Sequence, residues 1–138
     1  MMSWRWVSRL EIEAVHERQL AEHGGGVGIR DENVLESALA RPINLTLYGE
    51  PDIAHLAASL AFGLARNHPF VDGNKRSAWV GARLFLRLNG VAIAFDKSEA
   101  TIMMQRLAAG ELMEDDLAIW FRERLIPSQV SPNISLPR

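Results

Sequence analysis

The sequence predicts an all-α protein, a compact single-domain bundle of about six helices. Three observations predict this fold class. Apolar residues recur mostly three and four positions apart, which places them on one face of a helix. Glycine and proline divide the chain into segments of helical length. Its 138 residues, 48% of them hydrophobic and 23% charged, have the composition of a globular domain large enough to bury a core.

Glycine and proline delimit the first two helices. The first helix carries Leu10 on its apolar face and ends at the three glycines 24–26, because glycine readily adopts the backbone angles found after a helix. The carboxylate of Asp31 can accept the free N–H groups of a second helix and so cap it. We expect this helix to stop near Arg41, because Pro42 disfavours helical geometry in the residue before it.

The segment 42–51 separates the second and third helices. It holds two prolines and a Tyr-Gly pair, and polar and apolar residues alternate within it. This pattern predicts a loop or a short hairpin. We name residues 44–50 of this segment the flap.

The third and fourth helices have the clearest signals. Asp52 is placed to cap the third helix, whose apolar stripe is the most regular in the chain. This helix carries small side chains on several of its faces, as expected for a central helix packed by its neighbours, and it ends at His68. The fourth helix is predicted from about Asn74 to Leu88.

The C-terminal third contains two shorter helices. Residues 91–95 alternate like a strand or an extended segment, Ser98 is placed to cap the fifth helix, and Trp120 lies in the sixth. Residues 1–126 therefore form the predicted helical domain. Residues 127–138 have few large apolar side chains and are predicted to be a mobile tail.

Charge and composition exclude several function classes. A net charge of −2 provides no excess of positive potential, so we expect no direct contact with nucleic acid. No run of about 18 apolar residues occurs, so we expect no membrane partner. The absence of cysteine excludes a thiol nucleophile and fits a cytoplasmic location. His16, His23 and His55 share no metal-ligand spacing, and we interpret His16 and His55 as packed or solvated.

The segment 68–76, His-Pro-Phe-Val-Asp-Gly-Asn-Lys-Arg, concentrates groups suited to phosphate chemistry. The free N–H groups at a helix start can hold a phosphate where a glycine such as Gly73 allows it to approach, and Asn74 begins the fourth helix. Lys75 and Arg76 add positive charge, the arginine through a planar fork that fits phosphate oxygens. These four residues are the predicted phosphate- or nucleotide-binding group.

Two further groups in the same segment indicate catalysis. Asp72 supplies an oxygen ligand suited to Mg²⁺, which usually bridges to substrate phosphates. Histidine changes its charge near neutral pH, which makes His68 the candidate general base. Ser77 lies near, but no acid–base partner for a covalent relay is evident, so direct transfer is the simpler mechanism. Taken singly, these residues fit an ordinary turn and helix start; together they indicate a site.

The same segment resembles the signature of the Fic/Doc superfamily, His-x-Phe-x-(Asp or Glu)-(Gly or Ala)-Asn-(Gly or Lys)-Arg, at every defined position. The similarity extends from about Leu10 to Trp120. The glycine-rich turn with residues 28–31 and the stretch 35–42 resemble the death-on-curing (Doc) toxin branch. This resemblance implies the Fic/Doc fold and ATP-dependent modification of a hydroxyl group on another protein.

Two positions distinguish the activities found in this superfamily. Adenylyltransferases typically have glycine where this chain has Lys75, and a second arginine where it has Trp79. Doc-type members share the lysine, and for them the resemblance implies a reversed ATP that presents its γ-phosphate, as in a protein Ser/Thr kinase. Arg83, one turn beyond Trp79, keeps adenylylation open as the alternative. A catalytically inactive interaction module is a second alternative, and a metal-dependent phosphoesterase using His68 and Asp72 is a weaker one.

The resemblance also implies residue roles. His68 would deprotonate a Ser or Thr hydroxyl, Asp72 would hold Mg²⁺, and Arg76 would serve catalysis as well as phosphate binding. Phe70 would anchor the segment in the core. The flap would pair with an extended target segment by strand addition through five residues, which are Asn44, Leu45, Thr46, Leu47 and Tyr48.

The implied partners are proteins. For Doc toxins the implied target is translation elongation factor Tu, whose modification would inhibit translation and growth. Self-inhibited Fic proteins carry a helix of the form (Ser or Thr)-x-x-x-Glu-(Gly or Asn), and the nearest match here, residues 46–50, is followed by Pro51. We therefore expect inhibition by a separate antitoxin, laid as an extended or helical segment in a groove near the site.

Overall fold

The computed structural model describes residues 3–129, and within them it contains six helices and two short strands. In chain order these are α1 (Arg9–His23), α2 (Glu32–Tyr48), α3 (Ile53–Asn67), α4 (Asn74–Leu88), β1 (Val91–Ile93), α5 (Lys97–Ala109), α6 (Glu114–Arg122) and β2 (Leu125–Pro127). The all-α prediction and the helix number are confirmed. No helix within the described range is long and apolar enough to cross a membrane.

Helix α3 is the centre of the fold. Ten of its 15 residues are buried, and α2, α4, α5 and α6 all pack against it. Its small side chains let the neighbours approach: a Cβ added at Gly63 would lie 2.9 Å from Cδ of Arg41 and 3.0 Å from Cα of Ala38, both on α2. The predicted central helix is therefore confirmed, and it begins at the predicted cap, where Asp52 accepts the backbone N–H of His55 at 2.9 Å.

Helix α2 is longer than predicted, because it continues through Pro42 to Tyr48. A proline inside a helix removes one backbone hydrogen bond and costs roughly 3 kcal/mol. Here Pro42 is buried, and Leu45, one turn later, packs against the core. The burial of Pro42 and the packing of Leu45 against the core offset the loss. The predicted loop or hairpin at 42–51 is wrong for residues 42–48, which form the last turns of α2.

Helix α1 buries a different face from the one predicted. Leu10 is 78% exposed, whereas Ile12 and Val15 are completely buried. The same face carries two polar residues, His16 and Gln19, each only 4% exposed. Apolar patterning alone missed this face because half of its buried positions are polar.

The C-terminal elements also differ slightly from the prediction. Asp96, rather than Ser98, caps α5 by accepting the backbone N–H of Glu99. Helix α6 ends at Arg122, and after a two-residue turn the chain forms β2, which pairs antiparallel with β1 so that Ala92 lies opposite Ile126. The predicted boundary after residue 126 falls inside this strand, and most of the predicted tail, residues 130–138, lies outside the described residues.

An ion pair between Asp52 and Arg122 joins the start of α3 to the end of α6. Because of this ion pair, we expect the stability of the protein to depend on pH. The Arg122 guanidinium donates to the two carboxylate oxygens of Asp52 at 2.5 and 3.0 Å and holds the pKa of that carboxyl below its usual range. A carboxyl whose folded pKa is lowered stabilises the protein above its unfolded pKa, and this contribution is lost as the pH falls through the folded pKa.

We expect Asp52→Asn to lower the free energy of unfolding at pH 7 by at most about 1 kcal/mol, because the ion pair is half exposed and asparagine still caps a helix. The gap between wild type and variant should close below about pH 4. Thermal unfolding from pH 7 to pH 3 measures this gap, and a gap that stays constant over that range would contradict the assignment.

Candidate active site

The segment 68–73 forms the bend between α3 and α4, and both ends of the bend have left-handed backbone angles. At the α4 end, Gly73 has φ 78° and ψ 18°. At the α3 end, His68 has φ 51° and ψ 62°, and within residues 3–129 it is the only residue other than glycine with a positive φ. Such a conformation costs free energy and is typical of functional sites. The side chain of His68 is exposed to solvent.

The side chain of Asn74 stabilises this bend through two hydrogen bonds to the backbone of Phe70. Its Oδ1 accepts the backbone N–H of Phe70 at 2.9 Å, and its Nδ2 donates to the Phe70 carbonyl at 3.0 Å. The Phe70 ring is 1% exposed, so the predicted core anchor is in place. Both ends of the Asn74 amide are used on Phe70, so Asn74 keeps its backbone N–H and one hydrogen of Nδ2 to contact a phosphate.

The glycine-rich turn after α1 pairs with the bend through backbone hydrogen bonds. Ile29 and Phe70 form an isolated antiparallel bridge, and the backbone N–H of Val71 donates to the Gly28 carbonyl at 3.1 Å. The bend thus has a second backbone support that comes from a distant part of the sequence.

Arg30 adds a side-chain support at the end of α3. Its Nε donates to the His68 carbonyl at 2.5 Å, and its Nη2 donates to the Asn67 carbonyl at 2.8 Å. Carbonyls at a helix C-terminus lack intrahelical partners and attract cations. Arg30 therefore holds the backbone of His68 in its strained conformation and leaves the imidazole free.

Asp72 lies on the exposed side of the bend, against the glycines that follow α1. Its Oδ1 accepts the backbone N–H of Gly73 at 2.8 Å, and its Oδ2 accepts that of Gly26 at 3.3 Å. A Cβ added at Gly25 would lie 2.7 Å from this Oδ2, so the glycines make room for the carboxylate as well as ending α1. Each carboxylate oxygen keeps a lone pair for a cation. An exposed carboxylate of this kind fits Mg²⁺, which prefers oxygen ligands and retains waters.

The start of α4 forms a cationic cradle of backbone amides. Ser77 donates its backbone N–H to Gly73, so the N–H groups of residues 74–76 have no acceptor within the helix. The first turn contains no acidic side chain. Lys75 and Arg76 are exposed, and neither forms an ion pair or side-chain hydrogen bond with any described residue. Free amides and two uncompensated cations make this helix start suited to phosphate.

Comparison with known proteins identifies the family of this chain. Residues 6–86, well over half of the chain, match the sequence profile described as the Fic/DOC family. The chain belongs to this family. It is 43% identical over 100 residues to the protein named "Toxin Doc" of Mycolicibacterium smegmatis, a match that covers 69% of this chain and 76% of the relative. It is 34% identical over 115 residues to "Protein kinase doc" of Escherichia phage P1, covering 83% of this chain and 90% of the relative. The resemblance stated from the signature is confirmed.

The flap residues of this Fic/DOC chain lie away from the bend. Asn44, Leu45 and Tyr48 line a shallow cleft with Arg41 and Ser59. Ser59 precedes Asn67, the last residue of α3, by eight residues, so it lies about 12 Å from the bend along the helix axis. The other two flap residues named above, Thr46 and Leu47, lie on the same last turns of α2. A helix satisfies its own backbone groups, so strand addition at this segment would require the last turns of α2 to unwind.

Arg83 is placed on aromatic rings rather than at the cradle. Its guanidinium carbon lies 4.9 Å from the ring centroid of Phe95 and 5.7 Å from that of Trp79. It follows Arg76 by seven residues, about 10 Å along α4. Burial lowers the pKa of Arg83 below its usual range. This position does not support the suggestion that Arg83 replaces the second arginine of adenylyltransferases.

A second group of possible metal ligands lies at the other end of α3. Ligand atoms of His55, Glu114 and Asp115 all fall within 4.8 Å of one another. Glu114 also forms an ion pair with Arg41, which already compensates one of the two negative charges. We interpret this group as an ion-pair network that ties α2, α3 and α6 together.

His16, on α1, contacts the bend, and the apolar pattern of the sequence did not predict this. Its buried ring stacks on Phe70 and its Nε2 contacts the Asp72 carbonyl. One signal was available: His16 follows Ile12 by four residues, so both lie on one face of α1. The apolar face chosen for α1 was wrong, and this hid the position of His16.

Proposed function

We propose that this chain is the toxin of a toxin–antitoxin pair and acts as an ATP-dependent protein kinase. It transfers phosphate to a Ser or Thr hydroxyl of a translation factor, which by family resemblance is elongation factor Tu, and so inhibits translation and growth. One observation carries the proposal: a single bend presents the exposed His68, the carboxylate of Asp72 and the uncompensated cations of α4. The relatives named as a toxin and as a protein kinase support it.

The residues of the bend divide the transfer step between them. Backbone N–H groups of α4 bind the phosphates of ATP, with Lys75 and Arg76 neutralising their charge. His68 accepts the proton of the target hydroxyl as its oxygen forms a bond to the γ-phosphorus. The bond from that phosphorus to the bridging oxygen breaks, and ADP leaves. Asp72 would hold Mg²⁺, which supplies charge stabilisation on the phosphate oxygens.

Two features of α4 favour phosphorylation over adenylylation. Lys75 fills the position where adenylyltransferases of this superfamily typically have glycine. Trp79, in place of their second arginine, is partly buried and packs edge-on against Phe95 with 4.9 Å between ring centroids. Helix α4 therefore presents no cationic side chain one turn beyond Arg76. Adenylylation on the same site is the second candidate, and an inactive interaction module is the third.

A separate antitoxin fits this arrangement better than self-inhibition. The nearest match to a self-inhibitory motif, residues 46–50, lies at the end of α2, away from the bend. We propose that the partner is a protein that covers the bend in the cytoplasm and that the chain alone is toxic. Expression without a partner should arrest growth, and normal growth of cells that make the folded wild-type chain would count against a toxin.

Labelled ATP separates the three functions. The purified chain is incubated with cell extract and Mg²⁺ together with ATP labelled at either the α- or the γ-phosphate. We expect a protein band labelled from γ alone, because a kinase leaves the α-phosphate in ADP. Label from α would instead show adenylylation, and no label from either would favour the inactive module. A parallel reaction with purified elongation factor Tu tests the target independently of the chemistry.

A further inference from the structure

We propose that His16 is a positioning residue that orients the Asp72–Gly73 peptide and through it the magnesium-binding carboxylate. This inference rests on the proposed function, because it assigns His16 to the same site. His16 lies on α1, 56 residues from Asp72 in sequence, and nothing in the signature segment points to it.

Two contacts attach the imidazole of His16 to the bend. The ring stacks on that of Phe70 with 3.8 Å between centroids and 7° between planes. Its Nε2 lies 2.8 Å from the Asp72 carbonyl oxygen. A carbonyl only accepts hydrogen bonds, so Nε2 carries the hydrogen and donates. The side chain is 4% exposed, and loss of this partner would leave a buried polar group unpaired.

The hydrogen bond from His16 sets the direction of one peptide plane. In a trans peptide the carbonyl and the following N–H point in opposite directions. Because His16 holds the Asp72 carbonyl towards α1, the N–H of Gly73 points away from α1. That N–H donates to Oδ1 of the Asp72 carboxylate at 2.8 Å. His16 therefore orients the carboxylate through the backbone, and rotation of this plane would release it.

The backbone at Gly73 shows how closely the ring supports the bend. A Cβ added at Gly73 would lie 3.7 Å from Cδ2 of His16. The ring thus lies beneath the residue that precedes the amide cradle of α4. His16 is buried and bonded to backbone, so it acts through Asp72 and is not itself a catalytic residue.

Two variants separate the hydrogen bond from the packing of His16. His16→Phe keeps an aromatic ring against Phe70 and removes the donor, whereas His16→Gln keeps an N–H donor and removes the ring. Gln19→Leu is the matched control, because Gln19 is equally buried on the same face of α1 and its Nε2 has no partner among the described residues. Circular dichroism and thermal unfolding establish that each variant folds.

The main measurement is the Mg²⁺-dependent binding of a non-hydrolysable ATP analogue, which is determined by calorimetry. Loss of a residue that orients a metal ligand typically weakens metal binding about 10- to 100-fold, and we expect this for His16→Phe. His16→Gln should lie closer to wild type, and Gln19→Leu should bind Mg²⁺ unchanged. Unchanged Mg²⁺ dependence in His16→Phe, or equal losses in all three variants, would overturn the proposal.

A measurement on the ligand-free protein keeps this test separate from the proposed function. The amide proton of Gly73 should change its NMR chemical shift in His16→Phe, since its bond to Asp72 is lost, and should stay near its wild-type value in His16→Gln. If the wild-type chain transferred no γ-phosphate, the kinase proposal would fail while this result still decided the role of His16. An unmoved Gly73 signal in a folded His16→Phe would overturn that role.

Discussion

Replacement of His68 by asparagine is expected to abolish phosphate transfer and leave the fold intact. Loss of a general base typically lowers the rate about 100- to 10,000-fold. Asparagine is the sharper choice over alanine, because it tolerates the left-handed backbone at this position and its amide cannot accept the proton. The measurement is the single-turnover rate of transfer from γ-labelled ATP, together with growth on expression. His68→Ala should show the same loss of transfer.

His55→Asn is the matched control, since His55 lies at the opposite end of the same helix and pairs with Glu114. It should keep the wild-type rate. Full transfer activity in a folded His68→Asn would remove the base from the mechanism. Loss in His68→Ala with retention in His68→Asn would assign the effect to backbone conformation instead.

Asp72→Asn is expected to remove both activity and its dependence on Mg²⁺. The amide lacks the negative charge of the ligand, and an NH₂ group placed at Oδ2 would face the N–H of Gly26 and repel it. The loss should reach at least about 100-fold, the upper end for residues that only support a metal ligand. A titration of Mg²⁺ against transfer rate measures it, with Mn²⁺ as a second cation.

Asp115→Asn is the control for this prediction, and it also tests the other group of possible metal ligands. Asp115 is 85% exposed and lies beside His55 and Glu114, at the far end of α3. We expect its replacement to leave the Mg²⁺ dependence unchanged. Loss of Mg²⁺ dependence in Asp115→Asn with retention in Asp72→Asn would move the metal site away from the bend.

The bend combines rigidity with exposure, and this follows from how its contacts are distributed. Three inward-facing parts of the bend are held by hydrogen bonds: Phe70 by Asn74, the Asp72 carbonyl by His16, and the end of α3 by Arg30. The side chains of His68, Lys75 and Arg76, by contrast, are exposed and form no hydrogen bond with any described residue. Supports of this kind lower the cost of arranging charged groups at the moment of reaction.

Local signals in the sequence determined much of this protein. The caps at Asp31 and Asp52 and the bounds of α4 were predicted correctly, because capping and helix termination depend on residues only a few positions apart. The signature segment was also recognised from the sequence alone. Its residues are adjacent in the chain, so no knowledge of the packing was needed to bring them together.

Only the tertiary structure decided the rest, because the deciding contacts join distant segments. Pro42 stays inside a helix because its burial outweighs the local penalty, and a prediction from neighbouring residues cannot include that burial. His16 reaches Asp72 across 56 residues, and the glycines after α1 make room for the carboxylate of Asp72. The groups of the candidate site are neighbours in the sequence, whereas their orientation depends on contacts that exist only after folding.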